Sequence, residues 1–155
     1  MRNPHFIALH RGGLLTKEQH IQLMLWACAC VEHLLPQLGI ETGECITNVL
    51  KVGRAWAEGK ATVGDARRAS VQCVAAAKEA TNPVAVAIIR AAGHAVATAH
   101  MADHSLGPAL YGLKALKLTG KPVEPERAWQ NAQLPSGIKE MVKEERAKKE
   151  KHFKL

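Results

Sequence analysis

Hydrophobic residues recur along most of the chain at steps of three and four residues, the period of amphipathic helices. Glycine, proline and capping residues interrupt this pattern at short intervals. In the first segment, Thr16 and Gln19 form a capping box, and Pro36 and Gly39 mark its end. The pattern predicts helices over about 16–36, 43–58, 62–80, 83–103, 106–118 and 126–133, and a last helix that begins at 135–136.

The fold class that this pattern predicts is all-α. We expect a single helical bundle of six or seven helices, with the alanine-rich helix around Val84–Ala102 at its centre. Alanine is abundant in the middle of the chain, and aromatic residues make up only 4% of the whole chain. Alanine favours helix and lets neighbouring helices approach closely. We expect one domain over residues 1–155, with an irregular N-terminal arm at 1–15 and a charged C-terminal tail at 143–155.

The chain is basic, with 21 Lys and Arg against 14 Asp and Glu and a formal charge of +7. The excess is spread along the chain, so it favours an anionic partner without naming one. In the tail, acidic residues alternate with lysines, and the pairs Glu144–Lys148 and Glu145–Lys149 predict a solvated helix or one docked on a partner. We therefore do not expect a nucleic acid as the partner. A role as a nucleic-acid-associated basic protein is kept as an alternative.

The four cysteines lack the CxxC spacing of zinc knuckles and redox motifs, so we expect buried free thiols and a cytoplasmic location. The first ten residues show no signal-peptide pattern. The apolar run Val84–Ala102 approaches the length of a membrane span, but Arg90 and His94 lie in its middle. We therefore expect a buried helix there and no membrane association.

Three histidines, His94, His100 and His104, cluster beside Asp103 near the end of the fourth predicted helix. His100 and His104 are four residues apart, so on a continuous helix they share a face and are the candidate metal ligands. A further ligand would have to come from another helix. The competing interpretation is that these rings bond to backbone or carboxylate groups in the core, and under it the protein holds no metal and no cofactor.

Arg90, His94 and Thr98 follow each other at four-residue steps and form one polar stripe on the apolar fourth helix. A buried polar group without a partner costs about 1–3 kcal/mol. Glu32 on the first helix is the expected partner of Arg90, in an internal ion pair that sets the register of the two helices. The alternative is a polar pocket that binds a partner. Its candidate residues are Glu32, Arg90, His94, His100, Asp103 and His104.

The sequence contains no familiar catalytic constellation. Aspartate occurs only twice and serine three times, without a GxSxG elbow, a phosphate loop or a dinucleotide fingerprint. We therefore predict no catalytic residues and no cofactor-binding residues. A non-enzymatic function is favoured over an enzymatic one.

Several short motifs are similar to those of one bacterial family. They are His10–Leu15 (HRGGLL), Trp26–Ala27 with Glu32–His33, Arg54–Trp56, Arg90–Ala95 (RAAGHA) and Thr98–His104 (TAHMADH). Through them the chain resembles the Imm-5-like family of immunity proteins over residues 5–118. The resemblance implies an all-helical domain that binds and neutralises a toxin of a bacterial polymorphic toxin system. It implies no catalytic residues.

The preferred hypothesis is a non-enzymatic protein-binding module, an immunity protein whose partner is a toxin. Because the chain is basic, we expect the toxin surface that it contacts to be acidic or neutral. The first alternative is a metal-binding protein or a metal-dependent enzyme that uses His94, His100 and His104. Alanine-rich helix faces also suit self-association into a homo-oligomer.

Overall fold

The computed structural model describes residues 2–41 and 43–155 and confirms the predicted all-α fold. Seven α-helices account for most of these residues, and the only β pairing among them is an isolated bridge between Ala8 and Leu15. The helices are α1 Lys17–Leu38, α2 Glu44–Ala57, α3 Val63–Glu79, α4 Pro83–Ala97, α5 Leu106–Leu118, α6 Glu124–Ala132 and α7 Ser136–Phe153.

Helix α1 begins as predicted, and of its two predicted end residues Gly39 ends it and Pro36 does not. Thr16 accepts a hydrogen bond from the backbone N–H of Gln19, whose side chain bonds back to the Thr16 N–H. Pro36 lies inside the last turn and does not end the helix, because its ring removes only one intrahelical hydrogen bond there. The helix ends at Gly39, which adopts the left-handed conformation with φ +62°.

Two opposite faces of α1 are buried in two different parts of the core. Met24 and Val31 pack in a cluster with α2, α3 and α4, whereas Leu23 and Trp26 pack in a second cluster with α5, α7 and the arm. By length and composition alone α1 is apolar enough to cross a membrane, with a mean hydropathy of 1.2 over its most apolar window. Its burial on both faces is the pattern of a helix in the middle of a bundle.

Helix α4 is the centre of the bundle, as predicted, and packs against α1, α2, α3 and α5. Asn82 caps it and Pro83 occupies its first turn. It ends at Ala97 and not at Asp103, because the amides of residues 98 to 100 bond three residues back and tighten the chain into a turn. The prediction that His100 and His104 share the face of one continuous helix is therefore wrong.

The N-terminal arm is folded onto the bundle and is not irregular as predicted. It forms two 3₁₀ turns, Pro4–Phe6 and Leu9–Arg11, closed by a 3.0 Å bond from the Leu15 N–H to the Ile7 carbonyl. Gly13 permits this closure, because a Cβ there would overlap the carbonyl oxygen of Ile7. Burial of aromatic and aliphatic side chains from the arm then holds it in the second core cluster.

The charged tail is helical as far as Phe153, and its inner face packs on the fold. Arg146 is only 4% exposed, so the prediction of a solvated tail is wrong for this face. The outer face keeps the predicted pair between Glu144 and Lys148, at 3.8 Å. Glu145 does not pair with a lysine, because its carboxylate accepts a 3.0 Å bond from the Asn3 side chain.

All four cysteines are free thiols, as predicted. Cys28, Cys30 and Cys73 are buried, and Cys45 is half-buried. Burial raises the pKa of the Cys28 thiol to about 12, so this sulfur packs as a small apolar group.

Candidate functional site at the end of helix α4

The turn after α4 brings together two histidines, His94 and His104, that are ten residues apart in the sequence. His94 on α4 and His104 in the 3₁₀ segment Ala102–Ser105 face each other, with their Nδ1 atoms 2.8 Å apart. One ring must donate an N–H and the other must accept it, so the two rings cannot both be fully protonated while this bond exists. The ring of His100 lies 5.7 Å from that of His104. We refer to His94, His100, Asp103 and His104 as the histidine corner.

The histidines of the corner are held in their neutral form. Burial, followed by the charge of His104, lowers the pKa of His94 to about 4. Burial is also the main cause that lowers the pKa of His100 and the pKa of His104, although the Asp103 carboxylate opposes the second decrease. At neutral pH the corner therefore offers hydrogen-bonding rings and not fixed positive charges.

Helices α5 and α7 hold the ring of His94 in place. Tyr111 of α5 stacks on His94 with ring centroids 5.2 Å apart, and Phe153 of α7 meets the ring of Tyr111 edge-on at 5.0 Å. Gly107 and Pro108 do not break α5, which begins before them at Leu106. The first turn of a helix has free N–H groups, so the missing N–H of Pro108 costs no intrahelical bond there.

We expect Gly107→Ala to destabilise the protein by about 1–3 kcal/mol, the usual cost of overpacking a tight core. A Cβ on Gly107 would lie 2.5 Å from Cβ and Cγ of His94, and the Cβ of His94 cannot move without shifting the backbone of α4. Urea denaturation of the purified variants measures this loss. Gly64→Ala is the matched control, because a Cβ there has only ordinary contacts at 3.5 Å and beyond. Equal stability of the two variants would contradict the close approach of α5 to His94.

The buried hydroxyl of Thr98 completes the predicted stripe and links the corner to α1. It donates to the carbonyl of His94 at 3.2 Å, and the Thr98 carbonyl accepts a 2.6 Å bond from Nε2 of His20. Two other buried polar atoms, Nδ1 of His100 and the hydroxyl oxygen of Ser105, have no hydrogen-bond partner among residues 2–41 and 43–155. These two atoms leave hydrogen-bonding capacity unused in the turn and the 3₁₀ segment that follow α4.

Two of the six predicted site residues lie outside the corner. Glu32 faces α2, where its carboxylate accepts two bonds of 2.9 Å from Arg54. Arg90 is exposed at the edge of α4 next to α3. The predicted ion pair between Glu32 and Arg90 is therefore wrong, because the two side chains leave their helices in different directions. Asp103 lies in the corner and pairs with Arg2 at 3.4 Å.

Two grooves meet over the rings of His94, His104 and Tyr111. The first, of about 260 Å³, runs between α3 and α4 and has Arg90 on its edge. The second, of about 300 Å³, lies under α7 and has Lys149 on its edge. The corner is thus reachable from solvent on two sides, between two positively charged residues.

The corner does not assemble the metal site that the HxxxH spacing suggested. Nowhere in the described part of the chain do three His, Cys, Asp or Glu side chains lie close enough to share one ion. His100 belongs to the turn and His104 to the 3₁₀ segment, and Nδ1 of His104 is engaged by Nδ1 of His94 at 2.8 Å. The geometry therefore favours hydrogen bonding within the corner.

The sequence pattern missed a second polar cluster, which lies between α1 and α6. The buried carboxylate of Glu126 accepts a 2.7 Å bond from Nδ1 of His33 and a 2.9 Å bond from Gln37. The ring of Trp129 stacks on His33 with centroids 3.6 Å apart. Hydropathy marks Glu126 as a surface residue. The available signal was its place one helical turn before the buried Gln130, on the same face of α6.

The comparisons with known proteins agree with the resemblance found in the sequence. A family model described as Imm-5 like putative immunity protein matches residues 13–137, which is most of the chain and includes the whole histidine corner. No curated protein and no solved structure matches the chain. On the strength of this match, the chain belongs to the Imm-5 like putative immunity protein family.

Proposed function

We propose that this chain is a cytoplasmic immunity protein that neutralises a protein toxin by binding to it. Family membership over residues 13–137 is the observation that carries the proposal. An immunity protein of this kind acts by stoichiometric association and needs no catalytic residue of its own. Its function therefore depends on an exposed surface that is complementary to the toxin.

The surface that we propose for the toxin is the groove between α3 and α4, together with the outer face of α3. Val71 and Val74 are exposed there by 66% and 52%, one helical turn apart on the same face. Ile89 and Arg90 of α4 line the opposite wall of the groove. Apolar residues surrounded by polar ones are typical of the centre of a protein interface.

The charge around this groove indicates the kind of toxin surface that it fits. Arg67 and Lys78 are exposed on α3 one turn before Val71 and one turn after Val74, and Arg90 stands across the groove. The whole chain carries +7. Opposite charges attract during association and like charges disfavour it, so the complementary toxin surface is acidic with an apolar centre.

Co-expression tests the proposed function. The tagged chain is purified from its native host after nuclease treatment, and a stoichiometric partner is identified by mass spectrometry. The partner's gene is then induced in a heterologous bacterium with and without this chain. We expect the partner to arrest growth and this chain to restore it. A partner that does not arrest growth, or growth that this chain does not restore, would contradict the proposal.

A second experiment tests the proposed surface. We expect Val71→Glu and Val74→Glu each to weaken toxin binding by at least about tenfold, because each places a negative charge at the centre of the interface. Leu118→Glu is the matched control, since Leu118 is an exposed apolar residue of α5, 48% exposed and outside the groove. Binding is measured by calorimetry on variants with unchanged melting temperatures. Equal effects of all three variants would place the toxin elsewhere while leaving the function itself intact.

A further inference from the structure

A separate cavity lies between the N-terminal arm, α1 and the turn after α4. Its volume is about 100 Å³, several times what one water molecule requires. Five of the side chains around it are positively charged or can become so: Arg2, His10, Arg11, His20 and His100. Its described lining contains no acidic residue. We refer to this cavity as the arm pocket.

The cations of the arm pocket repel one another. Burial is the largest cause that lowers the pKa of His20 and the pKa of His100. The charges of His104, Arg67 and Arg11 add to the decrease at His100. At His20 the charge of His10 adds to it, while the bond to the Thr98 carbonyl acts in the opposite direction. Of these cations, Arg2 has a counter-charge in Asp103. The others converge on a lining without an acidic residue, which gives the pocket a positive potential.

Bonding capacity beside the arm pocket is also left unused. Nδ1 of His100 is buried and has no hydrogen-bond partner among the described residues. His20 uses Nε2 to donate to the Thr98 carbonyl at 2.6 Å. Its Nδ1 becomes a second donor when the ring takes up a proton beside an anion. The one nearby carboxylate, Asp103, is partly exposed and is engaged by Arg2 at 3.4 Å, outside the lining of the pocket.

We propose that the arm pocket binds a phosphate group, either as free phosphate or as the phosphate of a small nucleotide. A tetrahedral dianion has several oxygens that accept bonds from different directions, and the donors of this pocket come from the arm, from α1 and from the turn after α4. The guanidinium of Arg11 matches phosphate oxygens in geometry and charge. The volume admits the phosphate and leaves the remainder of a nucleotide outside. This inference does not depend on toxin binding.

Histidine resonances of the full chain test the proposal at pH 7.0 and constant ionic strength. The probes are inorganic phosphate, AMP and acetate. We expect phosphate to shift the ring signals of His20 and His100 toward those of the protonated form in a saturable manner. His33 is the internal control, because it bonds to Glu126 in a different part of the fold. Absence of saturable shifts with both phosphate and AMP, or equal shifts of His33, would overturn the proposal.

The comparison of the three probes identifies the ligand, and two variants identify the residue that binds it. Tighter binding of AMP than of phosphate supports a nucleotide as the source, and equal binding supports free phosphate. Acetate that binds as tightly as phosphate would overturn the assignment to phosphate. Arg11→Gln should weaken phosphate binding at least about tenfold, the factor expected for a hydrogen bond to a charged group. Lys51→Gln is the control, because it removes an exposed charge from α2, and it should leave phosphate binding unchanged. Equal weakening by both variants would indicate a nonspecific charge effect and would overturn the assignment of the phosphate site to the arm pocket.

Discussion

Arg146→Met is expected to lower the free energy of unfolding by about 3 kcal/mol, measured by urea denaturation. The guanidinium of Arg146 is 4% exposed and bonds to the side chains of Gln130, Asn131 and Glu150. Methionine keeps most of the apolar stem but none of the donors. The buried carbonyl oxygen of Gln130 then loses its partner, and the carboxylate of Glu150 keeps only Arg127.

The matched control for this substitution lies on the same helix. Lys143 is exposed and has the same kind of flexible cationic side chain, so Lys143→Met should change the stability by no more than about 0.5 kcal/mol. Arg146→Lys should give an intermediate loss, because an ammonium keeps the charge but cannot meet three acceptors with a planar fork. If Arg146→Met were as mild as Lys143→Met, the inner face of α7 would not be packed as described.

The second large effect concerns pH: we expect His94 by itself to cost the protein about 2 kcal/mol of stability between pH 7.5 and pH 5. His94 has an ordinary pKa near 6.5 in the unfolded chain and a pKa lowered to about 4 in the fold. Between these values the unfolded chain takes up a proton that the folded chain does not. The stabilisation is therefore complete above pH 6.5 and decreases as the pH falls toward 4. Denaturation curves at successive pH values measure it.

The surroundings of His94 account for the sign of this effect. Burial is the largest cause of the lowered pKa, and His104, Lys149 and Arg90 add repulsion, while Asp103 acts in the opposite direction. The lowered pKa values of His20, His100 and His104 add losses of the same sign. The lowered pKa values of Asp65 and Glu150 act at lower pH, because carboxylates of the unfolded chain take up protons only there.

His94→Gln separates the contribution of this ring from the others. Glutamine keeps a donor and an acceptor near His104 but does not titrate. The variant should show a shallower loss of stability between pH 7.5 and pH 5 than the native protein. A slope identical to that of the native protein would mean that His94 takes up its proton in the folded state as readily as in the unfolded one.

The two expected effects involve one continuous part of the molecule. The bonds of Arg146 hold α7 against α6, and Phe153 at the end of α7 covers Tyr111, which stacks on His94. Loss of the Arg146 bonds is therefore expected to expose the ring of His94 and to raise its pKa. The same helix lines the groove next to the histidine corner with Lys149.

Local preferences along the chain were sufficient to predict most of the helices. The capping box of Thr16 and the helix starts near Thr62 and at Asn82–Pro83 depend on neighbouring residues, so they are visible in the sequence. The central position of α4 followed from its composition, because a helix that is apolar over most of its surface is usually buried. Family membership was also visible in the motifs around His94 and His104.

Partnerships between distant polar groups were not predictable in the same way. Whether Glu32 meets Arg54 or Arg90 depends on which helix lies beside it, and several helices are neighbours of α1. The polar residue Arg146 is buried because other polar residues face it, a condition that hydropathy along one helix cannot report.

The sequence by itself determined the helical class, the caps, the central helix and the presence of three histidines in an apolar setting. Only the tertiary structure decided that α4 ends at Ala97, that His104 turns back to bond with His94, and that the arm closes a basic pocket over His100. The physical reason is the distance along the sequence over which each interaction acts. Helix formation and capping depend on residues within about one turn, whereas a bond between His94 and His104 requires a reversal of the chain that is stabilised by α5 packing against both segments.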